Sequence, residues 1–257
     1  MQPLTVSLVQ SATHWHDAEK NRTHFADVLA ALPNSDLVVL PEMFTTGFTM
    51  ASTEVAEPMN GPTLDWLAQQ AVKLDATITG SVVIEDQGHY YNRLIVMQPD
   101  GDFQHYDKRH LFRMADEHDH YSAGGGKIIF SLREWRICPM VCYDLRFPVW
   151  FRNQSEYDVL LCVANWPAAR REAWNTLLRA RAIENQCYSV GVNIVGEDGA
   201  GVRYSGGSAV YGPEGNVLGE LFDTAQTFTV ELDGGALGDL RERFPVWRDA
   251  DEFQIQT

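Results

Sequence analysis

The sequence lacks the features that direct a protein to a membrane or to nucleic acid. Its 20 lysine and arginine residues are outnumbered by 35 aspartate and glutamate residues, and its formal net charge is -15. So acidic a chain is repelled by phosphate backbones and by anionic lipid surfaces. No apolar run approaches the roughly 18 residues that a spanning helix needs, and residues 1–10 do not have the pattern of a signal peptide. We therefore expect neither nucleic acid nor a membrane among its partners.

Cysteine is scarce, and its placement excludes two further classes of protein. The four cysteines, Cys138, Cys142, Cys162 and Cys187, all fall in or near apolar segments. Cys138 and Cys142 would be roughly 13 Å apart along one strand, which is too far for a disulfide. No paired cysteines and histidines have the spacing of a zinc site. The pattern predicts reduced thiols and a cytoplasmic location, and it offers no metal site.

Two short segments with ligand-binding residues also fail to match a known site. Residues 116–120 read Asp–Glu–His–Asp–His, without a clean pair of metal ligands four residues apart on a helix. Gly124–Gly126 is not followed by the Lys–Ser/Thr pair and the helix of a phosphate-binding loop. Neither segment supports a cofactor, and we predict none.

The pattern of apolar residues predicts one domain of mixed helices and strands. A chain of 257 residues with 45% hydrophobic residues fits one large domain better than two small ones. Periodicity and turn residues predict strands at 4–10, 37–40, 76–85, 90–98, 103–106, 127–131, 135–141, 159–164, 188–195, 217–222 and 227–232, a further strand or two within 199–210, and helices at 17–31, 63–74, 148–153, 171–186 and 236–243. The helix at 171–186 is expected to have Trp174, Leu177, Leu178 and Ile183 on its apolar side. Residues 44–62 are predicted to be a long, functional loop. By itself this pattern supports an α/β or α+β class.

Three chemically useful side chains come shortly after predicted strands. Glu42 follows the strand at 37–40, Lys108 the strand at 103–106, and Cys142 the strand at 135–141. In layered α/β proteins the ends of strands are where chemistry collects, and a thiol at a sheet edge can act as a nucleophile. Purely structural roles are also compatible with the pattern. Cys142 can be a small buried hydrophobe, and Glu42 an exposed loop carboxylate or a charge at a helix N-terminus.

The sequence blocks around these residues resemble the nitrilase superfamily of carbon–nitrogen hydrolases. They read LPEMF, YDKRHLF and VCYDLRFP, followed by ANWPA and RARAIENQ. The resemblance runs from about Leu4 to Asp233, and three blocks in the same order and similar spacing are a specific signal. It implies a Glu–Lys–Cys catalytic set, here Glu42, Lys108 and Cys142. It also implies a second glutamate that positions the lysine, for which Glu117 is the candidate.

The resemblance further implies the architecture and the assembly. The family fold is a single-domain α-β-β-α sandwich, which we assign to residues 4–234. Residues 235–257 would then be a C-terminal extension. This extension carries Phe244, Trp247 and Phe253, which need a surface to pack on. We therefore expect a homodimer or a larger homo-oligomer with the extension at the subunit interface.

The residue types suit amide hydrolysis without a metal or other cofactor. Glu42 can take the proton of Cys142 and pass it to departing ammonia. Lys108 and the backbone N–H of Tyr143 can stabilise the oxyanion. A thioester forms, and water then releases the acid. In the competing scheme a histidine activates the thiol, and His110 is the nearest candidate together with His118.

Among the branches of the superfamily, the motifs look most like the omega-amidase group. This likeness implies hydrolysis of the terminal amide of 2-oxo-dicarboxylic acid monoamides such as 2-oxoglutaramate, in a methionine-salvage setting. A general aliphatic amidase, a nitrilase, a carbamoylase or a thiol acyltransferase would use the same mechanism. A non-catalytic binding or scaffold protein on the same fold is the alternative from another class.

An omega-amidase has to bind a carboxylate far from the scissile amide. Met43, Phe44, Tyr143 and Trp166 are expected to line the apolar passage to it, with Arg146 as the substrate-binding cation. An ion pair between Arg146 and Asp144 is the structural alternative. Other basic candidates near the same face are Arg113, Arg170 and Arg171.

Overall fold

The apolar runs of the sequence form the strands of two facing sheets. The structure, a computed structural model, describes residues 1–154 and 156–255. In that part of the chain the strands are β1 (Leu4–Gln10), β2 (Leu37–Val39), β3 (Glu57–Pro58), β4 (Thr77–Asp86), β5 (His89–Met97), β6 (Phe103–Asp107), β7 (Phe130–Leu132), β8 (Trp135–Val141), β9 (Val159–Ala164), β10 (Tyr188–Asn193), β11 (Val195–Glu197), β12 (Arg203–Ser205), β13 (Ala209–Tyr211), β14 (Val217–Glu220) and β15 (Gln226–Leu232).

Six α-helices connect or cover these strands in the described residues. They are α1 (Ala18–Ala30), α2 (Ser52–Val55), α3 (Pro62–Leu74), α4 (Glu117–His120), α5 (Arg171–Asn185) and α6 (Gly234–Arg243). Short 3₁₀ turns cover Arg113–Ala115, Cys142–Arg146, Ala168–Arg170 and Val246–Asp249. None of the helices described is long and apolar enough to cross a bilayer.

Each sheet has a parallel centre and antiparallel edges. The first sheet has the order β15-β1-β2-β4-β5-β6, with β3 paired to β4, and the second has the order β14-β13-β10-β9-β8-β7. Strands β1, β2 and β4 run parallel, as do β8, β9 and β10. Strands β11 and β12 form a separate hairpin. Parallel strands are buried on both faces, which suits their continuous apolar sequences.

Alternation along β2 shows how the layers form. Leu37 and Val39 belong to the core between the two sheets, whereas Val38 packs with Phe25 of α1 and Leu67 of α3. Successive residues of a strand face opposite sides. A strand that is apolar on both faces is therefore stable only with a layer on each side of its sheet.

Helix α5 covers the outer face of the second sheet. It approaches β10 at Gly191, where a Cβ atom would lie only 2.4 Å from Cδ1 of Leu178. Glycine at this position lets helix and strand pack closely. The layers are therefore helix, sheet, sheet and helix, and the predicted α-β-β-α sandwich is confirmed.

The helix predicted at 148–153 is wrong, because this segment forms a turn. The side chain of Asn153 accepts hydrogen bonds from the backbone N–H groups of Glu156 (2.8 Å) and Tyr157 (3.2 Å). Its Nδ2 donates to the Tyr157 carbonyl (2.8 Å), and the Tyr157 hydroxyl donates to the Phe151 carbonyl. Side chains that bond to nearby backbone in this way compete with helix formation.

Two further predictions differ locally from the structure. The loop predicted at 44–62 contains the one-turn helix α2 and the two-residue strand β3. Ile183, expected on the apolar side of α5, is 49% exposed. The buried side of that helix instead includes Trp174, Leu178 and Ala182, which are spaced four residues apart.

Helix α6 packs against the body of the protein. It begins at Gly234, where the predicted domain 4–234 ends. Its Leu237 joins the core between the sheets, and Arg241 donates to the carboxylate of Asp158 at 2.6 Å. After this helix the chain is more exposed, and Phe244, the first of the three aromatic residues there, is 62% accessible to solvent.

Candidate active site

Four polar side chains meet at one edge of the two sheets, each shortly after a strand. Glu42 is the third residue after β2, and Lys108 follows β6, both in the first sheet. Cys142 follows β8, and Asn165 follows β9, both in the second sheet. Strand ends are where an α/β protein can turn side chains toward one another. This group therefore lies across the seam between the sheets.

Glu42 is fully buried, and donors from three residues hold its carboxylate. Nδ2 of Asn92 (2.7 Å) and Nζ of Lys108 (3.2 Å) donate to Oε1. The backbone N–H of Asn165 donates to Oε2 (2.7 Å). A carboxylate away from water is stable only with such partners. The two oxygens of Glu42 are thus fixed relative to the lysine and to the second sheet.

Two residues that the sequence analysis missed orient this carboxylate. The Ser81 hydroxyl on β4 donates to Oδ1 of Asn92 on β5 (2.7 Å) and accepts the backbone N–H of Met43 (2.8 Å). With its oxygen occupied, Asn92 presents its NH₂ group to Glu42. In the sequence, the local signal of Ser81 and Asn92 is a polar side chain inside a predicted strand. That signal does not show which face of the sheet the side chain is on.

Lys108 is buried between two carboxylates. Its Nζ lies 2.9 Å from each carboxylate oxygen of Glu117, in addition to its contact with Glu42. Burial opposes its charge, but the carboxylates of Glu117 and Glu42 outweigh burial and raise the pKa of Lys108. Burial raises the pKa of Glu117 as well, despite the nearby ammonium. The Phe112 N–H donates to Glu117 Oε2 (2.5 Å) and holds it against Lys108.

The turn at Cys142 has a strained backbone. Cys142 has a φ of 46°, a left-handed conformation that is costly for any residue other than glycine. The buried carboxylate of Asp144 holds the turn. Its Oδ2 accepts from the Val141 N–H (3.1 Å) and the Tyr106 hydroxyl (2.8 Å), and its Oδ1 accepts from the His110 N–H (2.9 Å). A sharp, strained turn of this kind exposes a nucleophile at the end of a strand.

The Cys142 thiol lies close enough to Glu42 and Lys108 for the charges of both to act on it. Burial raises the pKa of this thiol well above its usual range, and the charge of Glu42 adds to the effect, while Lys108 opposes it. A raised pKa favours the neutral thiol, whose proton would have to leave as the sulfur attacks. Glu42 is the carboxylate placed to take it.

Cys142, Lys108 and Asn165 line a pocket with a volume of about 490 Å³. This volume suits a small molecule. The predicted residues Tyr143, Trp166 and Arg146 line the pocket as well. The full lining consists of Trp15, Phe48, Thr49, Met50, Lys108, Phe112, Met114, Ala115, Cys142, Tyr143, Arg146, Asn165, Trp166, Pro167, Arg170, Asp198, Ala200, Val202 and Tyr204.

Met43 and Phe44 do not belong to the pocket wall, and the prediction that they line it is wrong. Both are fully buried. Phe44 packs edge-on against Phe25 of α1, with ring centres 5.6 Å apart, so it faces the helical layer. The same loop does contribute to the wall, but through Phe48 and Met50.

Two guanidinium groups line the pocket and have no carboxylate partner among the residues described. Arg146 lies over the Trp166 ring at 4.8 Å, and Arg170 over the Phe112 ring at 5.5 Å. An aromatic face attracts a cation without neutralising it. Asp144 takes its hydrogen bonds from other donors, so the predicted alternative of an Arg146–Asp144 ion pair is wrong.

The other two basic candidates lie outside the pocket. Arg171 is 3.5 Å from Glu220 and donates to the Ser205 carbonyl (2.6 Å). Arg113 is exposed and does not line the pocket.

Segments that are distant in the sequence form the rim of the pocket. Trp15 comes from the β1–α1 connection, and Asp198 and Tyr204 come from the β11–β12 hairpin and its turn. The Tyr204 hydroxyl donates to Oδ2 of Asp198 (2.8 Å). Gly199 touches the indole, since a Cβ atom there would lie 2.4 Å from the Trp15 ring. No local pattern in the sequence links these segments, so the sequence analysis missed them.

The two histidines named as rivals to Glu42 lie outside the pocket. Nδ1 of His110 lies 2.7 Å from Oδ1 of Asp144, and its ring stacks on Phe147 with centres 3.8 Å apart. This histidine therefore supports the turn that carries Cys142. His118 lies near Asp116 and Asp119, with ligand atoms within 4.8 Å of one another. Exposed acidic groups commonly cluster in this way without a metal ion.

Comparison with known proteins identifies the family. The family model of the carbon–nitrogen hydrolases matches residues 5–242. The chain belongs to the carbon–nitrogen hydrolase family. The resemblance seen in the motif blocks is confirmed, and this hydrolase is an enzyme that acts on carbon–nitrogen bonds.

Three relatives show how similar this hydrolase is to characterised proteins. Omega-amidase YafV of Escherichia coli strain K12 is 46% identical, over 99% of this chain and 100% of the relative. The 2-oxoglutaramate amidase of Bacillus subtilis strain 168 is 34% identical, over 84% and 85%. A CN-hydrolase superfamily protein from Xanthomonas campestris, solved with an arsenic adduct in its active site, has a TM-score of 0.98 and 46% identity over 100% of both chains.

Proposed function

We propose that this hydrolase cleaves the terminal amide of small 2-oxo-dicarboxylic acid monoamides, such as 2-oxoglutaramate, to the acid and ammonia. The observation that carries the proposal is a pocket lined by the Cys142 thiol and the Lys108 ammonium, which is bonded to Glu42 behind it, and by two guanidinium groups that have no carboxylate partner among the described residues. The names of the omega-amidase and 2-oxoglutaramate amidase relatives support it.

In the first half of the proposed reaction, the tetrahedral intermediate forms. The sulfur of Cys142 attacks the amide carbon while the thiol proton passes to Glu42. The carbonyl oxygen becomes an oxyanion, which Lys108 and the backbone N–H of Tyr143 stabilise. One such donor is typically worth about 3 kcal/mol. Glu117 is a positioning residue here, because it fixes the ammonium of Lys108 by two contacts of 2.9 Å.

In the second half, the acyl group is released. Glu42 returns its proton to the nitrogen, the C–N bond breaks, and ammonia leaves behind a thioester on Cys142. Glu42 then takes a proton from water, which attacks the thioester carbon. The C–S bond breaks, the free acid departs, and the proton returns to the sulfur. The groups that act in these steps are side chains and one backbone N–H of the chain, together with one water molecule.

The two guanidinium groups are proposed to bind the other end of the substrate. A 2-oxo acid presents carboxylate and carbonyl oxygens side by side, and a guanidinium fork can donate to such oxygens. Arg146 is the substrate-binding cation that we propose, with Arg170 as a second donor. Tyr143 and Trp166 line the apolar passage between the two ends. These local cations have to overcome the repulsion of an anion by a protein of net charge -15.

The test compares ammonia release from 2-oxoglutaramate with release from the same amide after its distal carboxylate is esterified. Loss of a paired charge should lower kcat/KM by about tenfold or more. A panel of simple aliphatic amides, nitriles and carbamoyl compounds is measured beside them. Equal rates on the amide and its distal ester would mean that no anion anchor exists. The general amidase or nitrilase hypothesis would then replace this proposal.

We also propose an assembly and a location. The exposed aromatic residues after α6 suggest that the extension 235–257 packs against a second subunit in a homodimer or larger homo-oligomer. Four buried free thiols suit the reducing cytoplasm. The amide substrate would then be its small-molecule partner.

A further inference from the structure

Asn165 has one polar atom without a partner, at the wall of the pocket. Its backbone N–H donates to Glu42 Oε2 and its Nδ2 donates to the Glu42 carbonyl, both at 2.7 Å. Its side-chain oxygen, Oδ1, has no hydrogen-bond partner among the residues described, although only 3% of the residue is exposed. A buried acceptor left unpaired destabilises a protein. Such an atom beside the reacting groups calls for a ligand that donates to it.

The orientation of this side-chain amide follows from its contacts. If oxygen and nitrogen were exchanged, the side-chain oxygen of Asn165 would lie 2.7 Å from the Glu42 carbonyl oxygen, with no proton between them. The network therefore assigns nitrogen to the Glu42 side and leaves the oxygen as the free acceptor. Both donor groups of Asn165 are committed to Glu42, so Oδ1 is the side-chain atom that remains for a substrate.

We infer that Oδ1 of Asn165 accepts a hydrogen bond from the N–H of the scissile amide and so makes the enzyme selective for amides over esters and nitriles of the same acid. This inference rests on the proposed function, in which a terminal amide is cleaved by Cys142 with Glu42 and Lys108. A primary amide carries two N–H donors. An ester oxygen and a nitrile nitrogen carry none, and each would face Oδ1 as a second acceptor.

The hydrogen bond assists a defined step. When the sulfur of Cys142 has bonded to the amide carbon, the nitrogen needs one proton from Glu42 before the C–N bond can break. An N–H of the substrate that donates to Asn165 holds the nitrogen beside Glu42, since the same asparagine is bonded to that glutamate. Ammonia then departs with the transferred proton. With an ester, the alkoxide takes that proton and Oδ1 stays unpaired.

The experiment measures kcat/KM for a primary amide and for the ester at the same carbonyl, on whichever acid the enzyme accepts best. Both substrates give the same thioester, so kcat/KM compares only the leaving groups. Asn165→Leu keeps the approximate size but removes the acceptor. Both rates should fall, because the hydrogen bond from Nδ2 of Asn165 to the Glu42 carbonyl is lost as well. The amide rate should fall at least about tenfold further than the ester rate, as an unpaired N–H predicts.

Two matched variants separate recognition from structure. Asn165→Asp keeps an oxygen in place of the free acceptor, but its second oxygen replaces Nδ2 and faces the Glu42 carbonyl. Both rates should therefore fall, while their ratio of amide to ester should stay within about threefold of wild type. Asn193→Leu is the structural control. Asn193 ends β10, and its side chain is fully bonded to the backbone of Trp166 and Gly206, outside the pocket. Its loss should lower both rates alike.

The outcomes distinguish this inference from the proposed function. Equal falls for amide and ester in Asn165→Leu would overturn the inference and leave Asn165 as a structural support of Glu42. A ratio in Asn165→Asp that falls as far as in the leucine variant would overturn it too. If the leucine variant does not fold, Asn165→Ala is measured in its place. Failure of the wild type on 2-oxoglutaramate, with turnover of another amide, would remove the proposed substrate and still allow the ratio test.

Discussion

The position of one residue, Cys142, combines reactivity with strain. It lies at the end of β8 with a φ of 46°, and it is the proposed nucleophile. Replacing it with alanine should abolish ammonia release while the fold persists. Replacing it with glycine should be equally inactive, but this variant should be more stable than the alanine variant by about 1 kcal/mol, because a left-handed turn penalises a Cβ atom. Urea unfolding of the two inactive variants measures the difference.

Mass spectrometry provides the complementary evidence for the nucleophile. Wild-type enzyme stopped during turnover should carry an acyl group on the peptide that contains Cys142. An adduct on Cys138, Cys162 or Cys187 would exclude the assignment.

In the unfolding experiment on the two inactive variants at position 142, an alanine variant more stable than the glycine variant would show that the turn is not strained.

The charged residues around Cys142 should differ in their effects on turnover. Glu42→Gln and Lys108→Ala should each lower kcat by at least about a hundredfold, because they remove the proton carrier and an oxyanion donor. Glu117→Gln should lower kcat less, since Lys108 keeps its contact with Glu42. Steady-state ammonia release measures all three. Full activity of Glu117→Gln would show that the second carboxylate is misplaced, and Asp116 would be tested next.

At the scale of elements, one buried carboxylate joins helix α6 to the second sheet. Asp158 accepts from Arg136 Nη2 (2.8 Å) and from Arg241 Nη1 (2.6 Å). Burial favours a higher pKa, but the hydrogen bonds from the two arginines outweigh it and lower the pKa of Asp158. Asp158→Asn should lower the free energy of unfolding by about 2 kcal/mol at pH 7, less than for a fully buried pair because the arginines are partly exposed.

The pH dependence of this effect follows from the direction of the shift. A carboxyl group with a lowered pKa contributes stability above its unfolded pKa of about 3.9, and that contribution is lost as the pH falls through the lower, folded value. Urea unfolding should therefore give the same difference at pH 7 and pH 5, and a smaller one only below about pH 4. Glu214→Gln is the control, since the Glu214–Arg243 pair is exposed on both sides and should matter little. Equal effects of the two variants would contradict a stabilising role for the ion pairs of Asp158.

Elements buried on both faces could be predicted well from the sequence. The strands at 4–10, 135–141 and 159–164 have the predicted bounds, because apolar runs of that length between turn signals are typical of buried strands. The prediction of a helix at 148–153 is wrong because the side chain of Asn153 bonds to the backbone of Glu156 and Tyr157. Phe44 was misplaced because the direction of a loop side chain depends on tertiary contacts with α1, which no local pattern contains.

At the scale of the whole molecule, the motif blocks indicated the chemistry but not the pocket. Glu42, Lys108, Cys142 and Glu117 each lie in or near a recognisable block, and the structure brings them together. The rim is made of residues such as Trp15 and Tyr204, whose proximity depends on how the β11–β12 hairpin folds over the β1–α1 connection. Such long-range contacts have no signature within a single stretch of sequence.

The assembly is tested on the whole chain. Deleting residues 244–257 should lower the oligomeric state seen by sedimentation, because it removes exposed aromatic residues that we propose to lie at the interface. Trp247→Ser in the full-length chain is the milder variant and should weaken association in the same direction. Unchanged sedimentation of the deleted protein would exclude this segment from any interface.

Because the site lies across the seam between the two sheets, turnover should depend on how the sheets are aligned. Glu42 belongs to one sheet and Asn165 to the other, and they are joined at 2.7 Å. Hydrogen bonds weaken steeply when their geometry is changed, so a slip of one sheet over the other by a fraction of an ångström would uncouple base from nucleophile while most of the core stayed packed. Core residues between the sheets, such as Leu8 and Met140, thereby support the geometry of a site that they do not line.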